Sequence, residues 1–312
     1  MINKPCFLVG AERSGTTLLR LMLDHHPSIG WVQEFEYSID LVTDNGQFPS
    51  LHQYYEWLET NRIFQSMGFM IDQNLDYPLL INSFLEQKFN SCKKPIIGAT
   101  VHRHFDRLLY IWHDACFIHL IRDPRDVARS CIAMGWAGNV WYGVDRWLEA
   151  ESLWDNFKKT ITSDRYIEVK YENLITDPIT VLSSISQFLG VNYDSLMLAY
   201  DQDTTYSSPD PKLIQQWRKK MSDFEIGLVE SKIGNLLTNR DYELSGVKSV
   251  NPNFLVKKKL KIQNWWAKVK FRINRLGISL FLADFISRKL GLKSWQKQVT
   301  LSINEITKKN LK

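Results

Sequence analysis

The chain has 312 residues, of which 44% are apolar and 23% charged. That length and balance fit one large α/β domain, or such a domain with an appendage, rather than a disordered chain. Its net charge of +5 is unevenly spread: 15 Lys and Arg against two acids lie beyond residue 250, leaving 24 bases and 32 acids before it. The basic end is suited to phosphate-bearing surfaces and is read separately from the body.

The opening MINKPCFLVGAERSG holds only a short apolar run, which predicts neither a signal peptide nor a spanning helix and makes the cytoplasm the expected location. CFLVG ends in Gly10 and reads as a buried strand, and TTLLRLMLDHH reads as a helix up to Pro27. Residues 35–94 are rich in Trp, Tyr and Phe without a clean period and predict a helical insertion. PIIGATV (Pro95 to Val101) and ACFIHLI (Ala115 to Ile121) are further strands. The second leads into RDPRDVARSCIAM, with Pro124 near a helix start and Asp123 as its cap. RYIEVKY (Arg165 to Tyr171) is a fourth strand, followed by the helical ITVLSSISQFLGV. Strands alternating with helices argue for an α/β fold, a parallel sheet flanked by helices. Asn251-Pro252 marks the boundary between a domain of residues 1–250 and a basic, amphipathic helical tail of residues 251–312. Lys and Arg interleave there with Trp, Leu and Phe, which suits peripheral membrane contact as well as packing on the domain. No nucleic-acid module accompanies the charge. Cys6, Cys92, Cys116 and Cys131 lack C-x-x-C spacing and are read as reduced thiols, with no metal site.

GAERSGTT, Gly10 to Thr17, has the G-x-x-x-x-G frame of a phosphate-binding loop but carries Thr16 where the lysine should stand. Glycine lets the backbone wrap an anion, Arg13 adds a two-pronged donor, and Ser14, Thr16 and Thr17 add hydroxyls. Without the lysine that neutralises a triphosphate, the loop suits one compact anion without metal. Arg122 at the end of a strand and Ser130 two turns into the next helix supply a second positive site.

These two loops together resemble the sulfotransferases that use 3′-phosphoadenosine 5′-phosphosulfate (PAPS). GAERSGTTLLRLMLDHHP is similar to their 5′-phosphosulfate loop, and FIHLIRDPRDVARS to their 3′-phosphate motif. The resemblance, over roughly Pro5 to Gly190, implies a P-loop-like fold in which Arg13, Ser14, Gly15, Thr16 and Thr17 hold the phosphosulfate. It assigns the 3′-phosphate to Arg122 and Ser130. KYENL is similar to a family segment whose tyrosine approaches the nucleotide, which makes Tyr171 a contact. Past the His-Pro of the first helix, Glu34 stands at the spacing of the family's catalytic glutamate, with Glu36 as its nearest rival. A base is needed because the acceptor hydroxyl loses its proton as the new S–O bond forms, and Arg13 is placed to stabilise the charge that develops. One departure stands out: the family's lysine near the sulfuryl group corresponds to Thr100 of GATVHRH. His102, Arg103 or His104 would then supply the donor, and His102 is also the alternative base. Ser207, Ser208, Arg218 and Lys219 are further candidates for phosphate contact. The expected acceptor is a hydroxyl, less readily an amine, on a glycan, lipid, small molecule or peptide. A P-loop small-molecule kinase and a non-catalytic membrane-binding protein are the rival readings. The absent lysine counts against the first.

Overall fold

The computed structural model describes residue 2 and residues 4–309. Five parallel strands, β1 Cys6–Val9, β2 Ile29–Glu34, β3 Ile96–Val101, β4 Cys116–Ile121 and β5 Tyr166–Lys170, form one sheet in the order β2-β3-β1-β4-β5. Four of them are the expected strands. β2 is the addition, an edge strand whose buried part stops at residue 32 before the exposed Gln33 and Glu34.

Every residue of β1 and β4 is buried, which is why these runs read as continuously apolar and not as alternating. Side chains still divide by parity. Phe7 and Val9 join the core made by the aromatic insertion, whereas Cys6 and Leu8 join Leu19, Leu23, Leu182 and Ile185 on the other face. The chain enters the sheet at its centre, fills one side, then crosses to the other. Ligands of such sheets bind beyond the carboxyl ends of the strands where the order reverses, here around β1.

Helix α1, Thr16–Asp24, buries Thr16, Leu18, Leu19, Met22 and Leu23, a single stripe at helical spacing. Between β2 and β3 lie α2 Leu51–Leu58, α3 Arg62–Met67 and α4 Tyr77–Cys92, capped by the side chains of Ser50, Asn61 and Asp76. Their aromatics serve the core: Tyr37 meets Phe64 edge-on at 5.4 Å and Phe69 stacks on Phe84 at 5.5 Å.

After β4, α5 Pro124–Ala133 starts as the sequence predicts, with Asp123 accepting from Arg125 N at 2.9 Å. The helices α6 Val140–Gly143 and α7 Asp145–Phe157 lead to β5, and α8 Tyr171–Thr176 and α9 Pro178–Phe188 follow it. Then come α10 Trp217–Lys220, α11 Asp223–Ile233 and α12 Leu236–Asn239. Arg125 turns inward, 3.7 Å from the centre of the Trp217 ring, and pairs with Asp123 and Glu230 to tie α5 to α11.

The basic end forms α13 Phe254–Lys289 and α14 Lys293–Lys309. It is fastened to the body by Gly138 N donating to Asn264 Oδ1 at 2.7 Å and Asn139 Nδ2 to Leu260 O at 2.8 Å. A third bond runs from Asn304 Nδ2 to Thr60 O at 2.9 Å. Among the described residues no helix is long and apolar enough to cross a membrane. The four cysteines are free, and Cys6, Cys116 and Cys131 are buried.

Candidate active site

Residues 10–15 join β1 to α1 in a conformation that glycine makes possible. Gly10, Arg13 and Gly15 have φ of 136°, 72° and 95°. A Cβ on Gly10 would stand 2.3 Å from Leu120 O, and one on Gly15 2.3 Å from the Tyr171 ring, so close approach and backbone angle both require the two glycines. Ser14 is buried, and its Oγ has no hydrogen-bond partner within the protein. A buried hydroxyl left unpaired is costly, which suits a position that a ligand oxygen completes.

The loop and the second motif are physically one wall. Arg13 Nε donates to Ser130 Oγ at 2.9 Å, and Arg122 Nη1 donates to Arg13 O at 3.1 Å. The Arg122 guanidinium lies 4.4 Å from the centre of the Tyr171 ring and its Nη2 donates to Leu213 O at 3.1 Å. Its buried Nε has no partner.

Three hollows open along this wall. A cleft of about 470 Å³ is bounded by Arg13, Gly15, Thr16, Thr17, Arg122 and Tyr171, and by residues 205–210, which include Ser207 and Ser208. A second of about 290 Å³ shares Arg13, Thr16, Thr17 and Tyr206 with the first and extends past Arg20 and Glu34 to His102. Ser130 lies in a third of about 300 Å³ with Arg129 and Lys220, joined to the first at Arg122, Tyr171 and Leu213. Arg218 and Lys219 bound none of these; Arg218 covers the Trp217 ring instead.

In the second cleft Glu34 is exposed at the end of β2. Its charge acts on Arg20, whose guanidinium is pulled below its ordinary pKa by burial. Glu36 is buried in the short turn after β2. Its Oε1 accepts from His102 N at 3.0 Å and lies 2.6 Å from His102 Nδ1, while His102 Nε2 is 3.0 Å from Thr16 Oγ1. Burial pulls the imidazole pKa down, but the hydrogen bond and charge of Glu36 outweigh it and hold His102 above its ordinary value. Burial likewise pushes Glu36 up, and the same pairing carries it below the ordinary carboxylate value. The outcome is a line from Glu36 through His102 to Thr16 of the anion loop.

Thr100 and Arg103 of GATVHRH also line the second cleft, each with a side-chain partner of its own. Thr100 is buried and accepts from Trp31 Nε1 at 3.1 Å. Arg103 grips Asp40 with two bonds of 2.9 and 2.7 Å. Burial, with Arg107 nearby, holds His104 below the usual imidazole pKa. His25 and His26 bond the backbone oxygens of Leu21 and Asn192 at the end of α1. Arg20, Trp136, Arg129 and Lys220 line these clefts and were missed by sequence reasoning. Arg20 was within reach, since it lies one helical turn beyond Thr16 on α1. Trp136, whose ring carries Arg13 at 5.9 Å and Arg146 at 4.6 Å, has no local signal. Among the described residues no group of three or more His, Cys, Asp or Glu could hold a metal ion.

Residues 5–195 match the family described as "Sulfotransferase family". The chain belongs to that family. The matched span of this sulfotransferase contains all five strands, the anion loop, Arg122, Ser130 and the Glu36–His102 pair, and leaves α10 to α14 outside. No curated protein matches it. Among solved structures it is similar to the sulfotransferase domain from the curacin biosynthetic pathway, at 19% identity and a TM-score of 0.59 over 78% of this chain and 99% of that one. It is also similar to the sulfotransferase domain of the Synechococcus PCC 7002 olefin synthase, at 23% identity and a TM-score of 0.52 over 78% of this chain and 96% of that one. At these identities the likeness establishes the fold, and the sheet with its flanking helices is sulfotransferase-like.

Proposed function

We propose that this sulfotransferase moves the sulfuryl group of PAPS to an acceptor hydroxyl by in-line displacement. The observation that carries this reading is the single wall formed by the loop and the second motif, through Arg13 to Ser130 and Arg122 to Arg13 O. The residues present fit the donor. The glycine cradle leaves no room for a Cβ, and Ser14 Oγ and Arg122 Nε are buried polar atoms without protein partners. Ser14 to Thr17, with Arg13, would hold the phosphosulfate, Arg122 and Ser130 the 3′-phosphate, and Tyr171 would lie along the nucleotide. When bound, PAPS supplies an activated sulfuryl group on a phosphate leaving group.

The protein's part is electrostatic and positional. Arg13 stabilises the negative charge that grows on the transferring group. Glu34 takes the acceptor's proton, because it is the exposed one of the three carboxylates lining the second cleft, whereas Glu12 pairs with Arg146 and Glu36 is buried against His102. His102 acts through Thr16. With Nδ1–H given to Glu36, a neutral ring accepts the Thr16 hydroxyl proton at Nε2. A protonated ring donates to Thr16 Oγ1 instead and turns that hydroxyl toward the anion. Its positive charge thereby stands in for the lysine that Thr100 lacks.

Labelled PAPS offered to the purified protein with a panel of glycans, lipids, phenols and peptides tests the reading. Labelled product together with adenosine 3′,5′-bisphosphate is the expected result, and Glu34→Gln should lower kcat by about 10²-fold or more. Phosphoryl transfer from ATP·Mg²⁺ with no use of PAPS would overturn it. Unchanged turnover in Glu34→Gln would remove Glu34 as the base and leave sulfuryl transfer standing.

A further inference from the structure

α13 is not a straight helix. Gly277 within it has φ 76° and ψ 159°, a conformation essentially restricted to glycine. Arg272 Nη2 reaches Asp284 Oδ2 at 2.6 Å, although these residues would lie about 18 Å apart along a continuous helix. The chain therefore folds back at Gly277 into two limbs. Asp284, the sole acid of residues 254–289, is buried and held by both Arg272 and Arg288. Ten Lys and Arg in the same segment leave it net positive by nine.

A hollow of about 690 Å³ lies between the limbs, larger than any of the three at the anion wall. Trp265, Val269, Phe281 and Phe285 give it an apolar wall, and Lys261, Lys268 and Lys289 stand around it with the two arginines. Trp265 and Phe285 remain 56% and 57% exposed, and Trp266, whose ring meets that of Trp265 edge-on at 4.7 Å, is 59% exposed. A contiguous exposed apolar surface of this kind marks an interaction site. A second copy presenting the same face would bring two strongly positive segments together. An anionic bilayer complements both features: aromatic rings settle at the headgroup level while ammonium and guanidinium groups meet lipid phosphates.

We propose that the folded-back α13 docks on an anionic lipid bilayer, with the hollow taking a lipid phosphate at its basic edge and acyl carbon against its aromatic wall. This site is separate from the anion wall and its proposed donor. Docking also bears on the second cleft. Phe271 of the first limb presses on Gly135, where a Cβ would stand 2.2 Å from its ring, and both neighbours of Gly135, Met134 and Trp136, line that cleft.

Flotation of the full-length protein with vesicles tests the proposal. Vesicles of phosphatidylcholine and phosphatidylglycerol in equal parts should carry the protein upward, and vesicles of phosphatidylcholine alone should not. Salt should release it. Lys261→Gln and Lys268→Gln should each weaken binding about fivefold, and Trp266→Gln should weaken it without altering the melting temperature, since that ring is largely exposed. Equal binding to both vesicles, failure to float with either, variants that bind like the parent chain, or preferential retention of a DNA duplex or of a second copy of the chain would each overturn the proposal.

Discussion

His102 joins two charged parts of the site, because a buried carboxylate holds one nitrogen and Thr16 of the N-terminal loop the other. Its raised pKa means that folding favours the protonated ring. That contribution to stability is complete below the ordinary value of 6.5 and is lost as the pH rises through the raised native value. Glu36 runs the opposite way, contributing above its ordinary value of 4.5 and failing as the pH falls through its depressed native value. The pair therefore supports the fold most fully between those two ordinary values. Denaturant midpoints measured against pH should show this plateau in the parent protein and lose it in His102→Gln. Truncation to alanine keeps the backbone bond to Glu36 but leaves that buried carboxylate without its counter-charge, at a cost of about 3–5 kcal/mol. If the protonated ring also orients Thr16, kcat falls at high pH, and that limb is absent from the profile of His102→Gln.

At the level of the element, the strand, loop and helix at the N-terminus act as a unit because two glycines bring it into contact with β4 and α8. Gly15→Ala sets a methyl group against the Tyr171 ring at a φ of 95°, a strain of about 1–3 kcal/mol. Calorimetric titration with adenosine 3′,5′-bisphosphate should show lost affinity, out of proportion to a modest fall in melting temperature. This unit was legible in the sequence because its signals are local: an apolar run, glycines at fixed spacing, then a stripe at helical period. The same holds for β3, β4, β5 and the Asp123-Pro124 start of α5. β2 was not, since Gly30 interrupts its apolar residues and the exposed Gln33 and Glu34 end it, so it offers no comparable run. Nor could spacing foretell that Thr100 is spent on Trp31, or that Trp136 arrives beside Arg13. Those contacts join residues far apart in the chain and exist only once the sheet has formed.

Across the whole molecule, the sheet order gathers chemistry that the chain disperses. β1 lies between β3, which delivers His102, and β4, which delivers Arg122, so the anion loop receives a neighbour from each side. The opposite charges of body and tail are also separated along the chain, with the basic segment outside the family-matched span. Arg13, Thr16, Thr17 and Tyr206 border the first two clefts at once, and this shared border constrains the order of events in a turnover. A molecule in either cleft rests against the same side chains as its counterpart, so the group in transit has no need to pause on the protein. Both reactants are then expected to be bound together before either product departs. Initial rates measured at several fixed acceptor concentrations should give double-reciprocal lines that intersect, whereas parallel lines would mean that the enzyme itself carries the group between two half-reactions.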